Sequence, residues 1–182
     1  MKFQFPADYA VRHFSSLITS SVSASLLVSH GLRLDVNLIL LFDDNVYVRF
    51  EPRRLRYIRP DEQSTYGVVR KAVRGALSLA SSSSKEFSPG VFGGRASFSY
   101  FLKRRGQIYY SFMRGVRLNS MEVDRNPTLV ICYPNYRDDD LSLLSSFKAK
   151  PIRISFTYNY PPSLIVIFQN HCDRLFYRGG VH

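Results

Sequence analysis

The stretch Val36–Phe50, VNLILLFDDNVYVRF, decides the architecture. Its first seven residues are nearly all apolar, as in a strand covered on both faces; a strand with one wet face would alternate. Asp43-Asp44-Asn45 is turn chemistry, because short polar side chains bond their own backbone and tolerate left-handed conformations. VYVRF then resumes an extended pattern, so Val36–Phe50 reads as a hairpin.

Outward from this hairpin, apolar runs alternate with helical patterns. Met1–Phe5 is a strand ended by Pro6, and Arg12–Val28 carries Leu17, Ile18, Val22, Leu26 and Leu27 at helical spacing. Pro60-Asp61 opens a helix over Glu62–Leu79, whose Val68, Val69, Ala72, Val73, Ala76 and Leu77 form one stripe and whose other face holds Arg70, Lys71 and Arg74. Ser81–Ser84, Lys85 and the closing Ser88-Pro89-Gly90 read as a flexible loop. A short helix ending at Gly106, strands IYYSF and TLVIC, an acid-capped helix over Asp138–Phe147, a strand IRISF and a last helix from Pro161 complete the pattern. Strand and helix in alternation predict an α/β fold of parallel strands and crossover helices, in one domain over residues 1–182.

The chain carries 25 Lys and Arg against 14 Asp and Glu, a formal charge of +11 and a pI near 9.9, which points to an anionic partner. No apolar run reaches the roughly 18 residues of a membrane span. MKFQFPADY lacks the apolar core of a signal peptide, so an intracellular, cytoplasmic protein without a membrane partner is expected. Cys132 and Cys172 are too few for a disulfide framework and lack metal-ligand spacing; they read as small apolar residues. His171 beside Cys172 points to a different helix face, and His13, His30 and His182 have no partner pattern, so no metal site is expected.

The cations cluster. Arg49, Arg53, Arg54, Arg56 and Arg59 lie together with Glu51 as the only acid among them and with Phe50 and Tyr57 interleaved. A guanidinium fork binds phosphate through paired donors and stacks on bases, a combination suited to RNA. No acidic residue lies between Glu86 and Glu122, whereas Arg95, Lys103, Arg104, Arg105, Arg114 and Arg117 do, beside Tyr100, Tyr109, Tyr110 and Phe112. With Arg70, Lys71 and Arg74, these are the candidate RNA-binding residues. Ion-pair networks of a heat-stable surface would bring matching glutamates, which are scarce here.

Several segments, in order, resemble the archaeal tRNA pseudouridine N1-methyltransferase family of the SPOUT class: LLVSHGLRLDV (Leu26–Val36), VRFEPRRLRYIRPDEQS (Val48–Ser64), VRKAV (Val69–Val73) and EFSPGVF (Glu86–Phe92). Weaker matches are Tyr109-Tyr110, Asn126-Pro127 leading into TLVI, and IVIFQNHCD (Ile165–Asp173). The resemblance implies a SPOUT-like α/β-knot with a mostly parallel sheet flanked by helices. It further implies S-adenosylmethionine held in the knot, a homodimer through the first and last helices, and methyl transfer to a ring nitrogen of pseudouridine in tRNA.

The chain departs from that pattern in two places. Where the family's first helix carries Arg-x-Asp and a further Arg, this sequence has Phe14, Ser16 and Ser20, none of which anchors phosphate or accepts a proton at neutral pH. Where the family has Leu-Gly and a glycine-bearing loop, it has Ile131, Cys132, Tyr133, Pro134 and Asn135. No glycine occurs from Val116 to Arg178, although loops that wrap a ligand favour it. Leu164 stands at a family cysteine, and TYNYPPS before it fills space. The expectation is therefore a non-enzymatic RNA-binding protein derived from a SPOUT methyltransferase, ribosomal or ribosome-associated and bound to rRNA, with no catalytic residue and no cofactor. The alternatives are an active S-adenosylmethionine-dependent tRNA pseudouridine N1-methyltransferase and a transient RNA-binding assembly factor.

Overall fold

In the computed structural model, residues 1–29, 31–56, 58, 61–103, 106–155 and 160–176 are described. The chain runs β1 (Lys2–Phe3), α1 (Ala7–His13), α2 (Ser15–Leu26), β2 (Leu27–Val28), β3 (Gly31–Leu32), β4 (Leu38–Leu41), β5 (Val46–Phe50) and α3 (Glu62–Leu77). Then follow β6 (Ser84–Ser88), β7 (Val91–Arg95), α4 (Phe98–Leu102), β8 (Ile108–Arg117), β9 (Thr128–Val130), β10 (Cys132–Tyr133), α5 (Asp138–Ser146), β11 (Lys150–Arg153) and α6 (Pro161–Phe176).

The hairpin predicted at Val36–Phe50 forms, with Leu38 opposite Phe50 and Leu41 opposite Tyr47. Asn45 takes the left-handed turn conformation at φ 61°, which its short polar side chain tolerates. Leu40, Val48 and Phe50 are fully buried, as the unbroken apolar run required. Strand order in the larger sheet is β10-β1-β4-β5-β7-β6, and in the second β11-β8-β9. All pairings among β10, β1 and β4 and among β11, β8 and β9 are parallel. The expected α/β class holds, with helices flanking a sheet whose parallel strands are extended on one side by the antiparallel β5-β7-β6 meander. The two sheets meet at Ile131, which separates β9 from β10 and accepts a hydrogen bond from Lys2 N at 2.8 Å.

Two local readings change. The helix expected over Arg12–Val28 is broken at Phe14, which leaves the helical region at φ −127°, ψ 31°. Its ring stacks on Phe5 at 4.9 Å and meets Tyr133 edge-on at 5.5 Å, so burial of an aromatic ring offsets the interrupted hydrogen bonds. The segment read as a flexible loop from Ser81 is instead mostly the β6-β7 hairpin. Gly90 turns it at φ +75°, and a Cβ there would lie 2.6 Å from Leu55 N, so no other residue fits without backbone movement.

The N-terminal strand is tied to the last third of the chain by a buried polar network. Lys2 Nζ donates to Asp140 Oδ1 at 2.9 Å and to Gln4 Oε1 at 3.2 Å, Gln4 Nε2 donates to Asp140 Oδ2, and Arg137 N donates to the same oxygen at 3.2 Å. Lys2 and Asp140 are 9% and 5% exposed. Removing one partner strands the other charge away from water, which costs about 3–5 kcal/mol for a buried pair. Asp140→Ala is expected to lower the free energy of denaturant unfolding by that amount, and a loss below about 1 kcal/mol, the range of an exposed pair, would show that the network contributes little.

Candidate functional site

Parallel α/β sheets place ligands outside the carboxyl ends of their strands. At that edge β8, the turn after β10, the exit from β11 and the start of α6 border a cleft of about 180 Å³, smaller than the roughly 300–1,000 Å³ of pockets that enclose a whole ligand. Phe112, Met113, Tyr136, Ile154 and Leu164 form apolar walls, with Ser111, Asn135 and Ser155 as the polar groups.

The walls are set by local structure. Tyr110 pairs with Pro151 of β11, but the next pair is Val116 with Ile152, so the intervening residues Ser111–Gly115 loop out of the ladder and supply one wall. Gly115 permits this, since a Cβ there would lie 2.6 Å from Ile152 N. Tyr136 supplies another wall. Its ring sits 5.6 Å from Tyr110 and 6.5 Å from Phe112, its hydroxyl donates to Val130 O at 2.8 Å, and burial pushes its phenol well above the ordinary range.

A cleft borders the glycine-free stretch after β10. Among the described residues between Val116 and Tyr160, those in the left-handed region are Asn126 and Lys148; the turn from Tyr133 to Arg137 contains none, so it has no need of glycine. The close backbone approach sought beyond Val116 is made by Gly115 instead. Of the segment TYNYPPS expected to plug the pocket, Thr157–Asn159 lie outside the described residues, while Leu164, which follows it, lines the cleft. Tyr136 meets Tyr110 and Phe112 edge-on, and these rings, the apolar slot beside them and the amide of Asn135 are chemically compatible with the adenosyl part of S-adenosylmethionine.

Cys132, beneath this edge, is 1% exposed and unpaired. Burial, followed by the charge of Asp140, raises its thiol to about 12, and burial with Asp173 raises Cys172 to about 11. In both, burial disfavours the nucleophilic thiolate. Among the described residues no group of His, Cys, Asp or Glu is placed to hold a metal ion, and no helix is long and apolar enough to cross a membrane.

The predicted RNA-binding residues fall into distinct settings. Arg49 pairs with Glu51 at 2.5 Å and lies 4.6 Å over the Phe92 ring; Arg54 pairs with Glu86 at 2.7 Å and lies 5.2 Å over the same ring. These two brace the meander. Arg53 and Arg56 are exposed and meet no carboxylate among the described residues; with Arg54, Phe87, Ser88 and Pro89 they line an open groove of about 600 Å³. Arg70, Lys71 and Arg74 are exposed along α3, Arg70 lying 6.0 Å over Tyr66. Arg95 ends β7 with its Nε buried and unpartnered. Lys103 follows α4, and Arg114 and Arg117 are exposed on β8 in the other sheet, so no single patch gathers all. Arg59, Arg104 and Arg105 lie outside the described residues. Sequence reasoning missed the cleft, the Lys2–Asp140 network, and Glu62, whose Oε1 accepts a hydrogen bond from Ser16 Oγ at 2.7 Å.

The long helix over Arg12–Val28, now α2, and the last helix α6, through which the resemblance implies a dimer, meet within the chain: Gln169 Nε2 donates to Ser25 O at 3.0 Å. Arg33, just after β3, grips Asp173 of α6 through two bonds at 2.8 and 2.9 Å.

Comparison with known proteins agrees with this geometry. Residues 13–176 match the family of SAM-dependent RNA methyltransferases. The protein of Halobacterium salinarum named tRNA (pseudouridine(54)-N(1))-methyltransferase is 27% identical over 154 residues, 84% of this chain and 79% of its own. The like-named protein of Methanocella arvoryzae is 28% identical over 163 residues, 87% of this chain and 84% of its own. The crystal structure of Archaeoglobus fulgidus Nep1 bound to S-adenosylhomocysteine shares the fold at a TM-score of 0.61 and 10% identity, covering 90% of this chain and 71% of that one. These matches overturn the expectation of a non-enzymatic ribosomal protein, a pseudoenzyme bound to rRNA, and favour the methyltransferase alternative.

The thiol environments make a checkable statement. A thiol raised from 9 to about 12 by burial disfavours the thiolate in the folded state, so this contribution to stability is complete below pH 9 and is lost as pH rises toward 12. Alkylation of native protein at pH 8 is expected to be slow at both cysteines and rapid after denaturation; fast modification of Cys132 in the folded protein would contradict its burial.

Proposed function

This chain belongs to the family of SAM-dependent RNA methyltransferases, and we propose that it transfers a methyl group from S-adenosylmethionine to N1 of pseudouridine in tRNA. The observation that carries this reading is the open cleft at the carboxyl ends of β8, β10 and β11. The cofactor, when bound there, supplies an electrophilic methyl on a sulfonium. The protein's part is to seat the adenosyl group against Phe112, Tyr136, Ile154 and Leu164, to keep water from the methyl, and to hold the target base in line with it.

RNA would be held by the cations that the fold leaves unpaired. Arg53 and Arg56 in their groove, with Arg70, Lys71 and Arg74 along α3, offer forks and point charges to phosphates, while Arg49 and Arg54 are already engaged by Glu51 and Glu86. Val166 and Ile167 on α6 stay 40% and 41% exposed, and they are the apolar surface on which a second copy would pair; sedimentation of Val166→Glu/Ile167→Glu is expected to show monomer.

Incubation with radiolabelled S-adenosylmethionine and tRNA carrying pseudouridine is expected to label the tRNA, and tRNA with uridine at that position is expected to stay unlabelled. Absence of both labelling and cofactor binding by calorimetry would remove the proposal. Arg53→Glu/Arg56→Glu is expected to weaken tRNA binding and to flatten its log–log salt dependence by about 0.9 for each phosphate no longer neutralised. An unchanged slope would move the RNA elsewhere.

A further inference from the structure

We propose that Glu62, held by Ser16, accepts the N1 proton of the target base. This rests on the activity proposed above, which demands such a group: a ring N–H is a poor nucleophile until its proton leaves, and a placed acceptor contributes about 10²–10⁴ in rate. The first turn of α2 lies at the same sheet edge as the cleft. Phe14 packs on Phe5, just beyond β1, at 4.9 Å and on Tyr133, the last residue of β10, at 5.5 Å; Asn135, two residues on, lines the cleft. Ser16 follows Phe14 on that turn and donates through Oγ to Glu62 Oε1 at 2.7 Å. Ser16 and Glu62 are both exposed.

The other described carboxylates at this edge are committed or unplaced. Asp8 pairs with Arg12 at 2.6 Å, Asp43 with Arg137 at 2.9 and 3.0 Å, and Asp140 is buried with Lys2. Asp44 accepts from Ala7 N at 3.2 Å and its other oxygen is buried. Asp138 and Asp139 are exposed on α5, with no side-chain hydrogen bond to fix either among the described residues. Glu62 differs from Asp44, whose free oxygen is buried, and from Asp61, whose two oxygens are taken by Ser64: it is exposed, is held at Oε1 by a hydroxyl and pairs with no cation among the described residues. A neutral hydroxyl orients a carboxylate without neutralising it, so Ser16 is the positioning residue. In the step, the N1 proton passes to Glu62 Oε2, the nitrogen pair bonds to the methyl carbon, and the sulfur–carbon bond breaks with its pair left on sulfur as a neutral thioether.

Single-turnover transfer onto pseudouridine tRNA, with tRNA and cofactor affinities measured in parallel, tests the assignment. Glu62→Gln is expected to slow transfer on the order of 100-fold while both affinities and the melting temperature stay unchanged. Ser16→Asp in the Glu62→Gln background, which returns a carboxylate to the same spot, is expected to recover much of the rate, and Asp139→Asn to leave it intact. Wild-type rate in Glu62→Gln, or loss of tRNA affinity equal to the loss of rate, overturns the assignment and leaves the proposed activity standing. No transfer by the wild-type protein removes both.

Discussion

Lys2 and Asp140, 138 residues apart in the chain, form the contact on which the arrangement of the sheet edge depends. A buried ion pair adds little stability over an apolar pair of equal size, because desolvation offsets attraction. What it supplies is register. β1 is only Lys2–Phe3, too short to choose its neighbours by ladder bonds alone, and it must insert between β10 and β4. With Lys2 in place of an apolar residue, any slip of one position would bury the ammonium without its carboxylate.

From that pair the edge is built outward. Asp140 also accepts from the backbone of Arg137, which starts α5, and the Arg137 guanidinium reaches back to Asp43 and to Gln4 O at 2.9 Å. The turn after β10, the hairpin turn after β4 and the exit from β1 are thereby fixed to one another. Asn135 and Tyr136 at the cleft, and the aromatic cluster that positions the first turn of α2, sit on either side of these bonds.

Much of the fold was legible because it follows from periodicity. The apolar run at Val36–Phe42, the stripe along α3 and the acidic start of α5 each have one physical reading. Less legible were features that depend on partners distant in sequence. Phe14 breaks a helix that its neighbours favour, because Phe5 and Tyr133 wait for its ring. The hairpin at Ser84–Arg95 hid behind serines because its pairing is decided by β5 and by α3 resting on it. Arginine clustering located charge but not availability: Arg49 and Arg54 are tied to Glu51, Glu86 and Phe92, and only the folded chain separates them from Arg53 and Arg56. At the site, the hydrogen-bond partner of Ser16 is Glu62, 46 residues away, and the turn after β10 holds no residue in the left-handed region that glycine favours; neither feature shows in a single position of the sequence.

The excursion of β8 between Tyr110 and Val116 has a thermodynamic consequence. Its two ends pair with consecutive residues of β11, which holds the backbone of Ser111 and Phe112 at the cleft before any ligand arrives, while Met113 stays 55% exposed. Immobilising a side chain on binding costs roughly 0.5–1.5 kcal/mol, and a wall already immobile spares the guest most of that entropy. The cleft's shape is in that sense tied to Pro151 and Ile152, neighbours in β11 that hold both ends of the excursion.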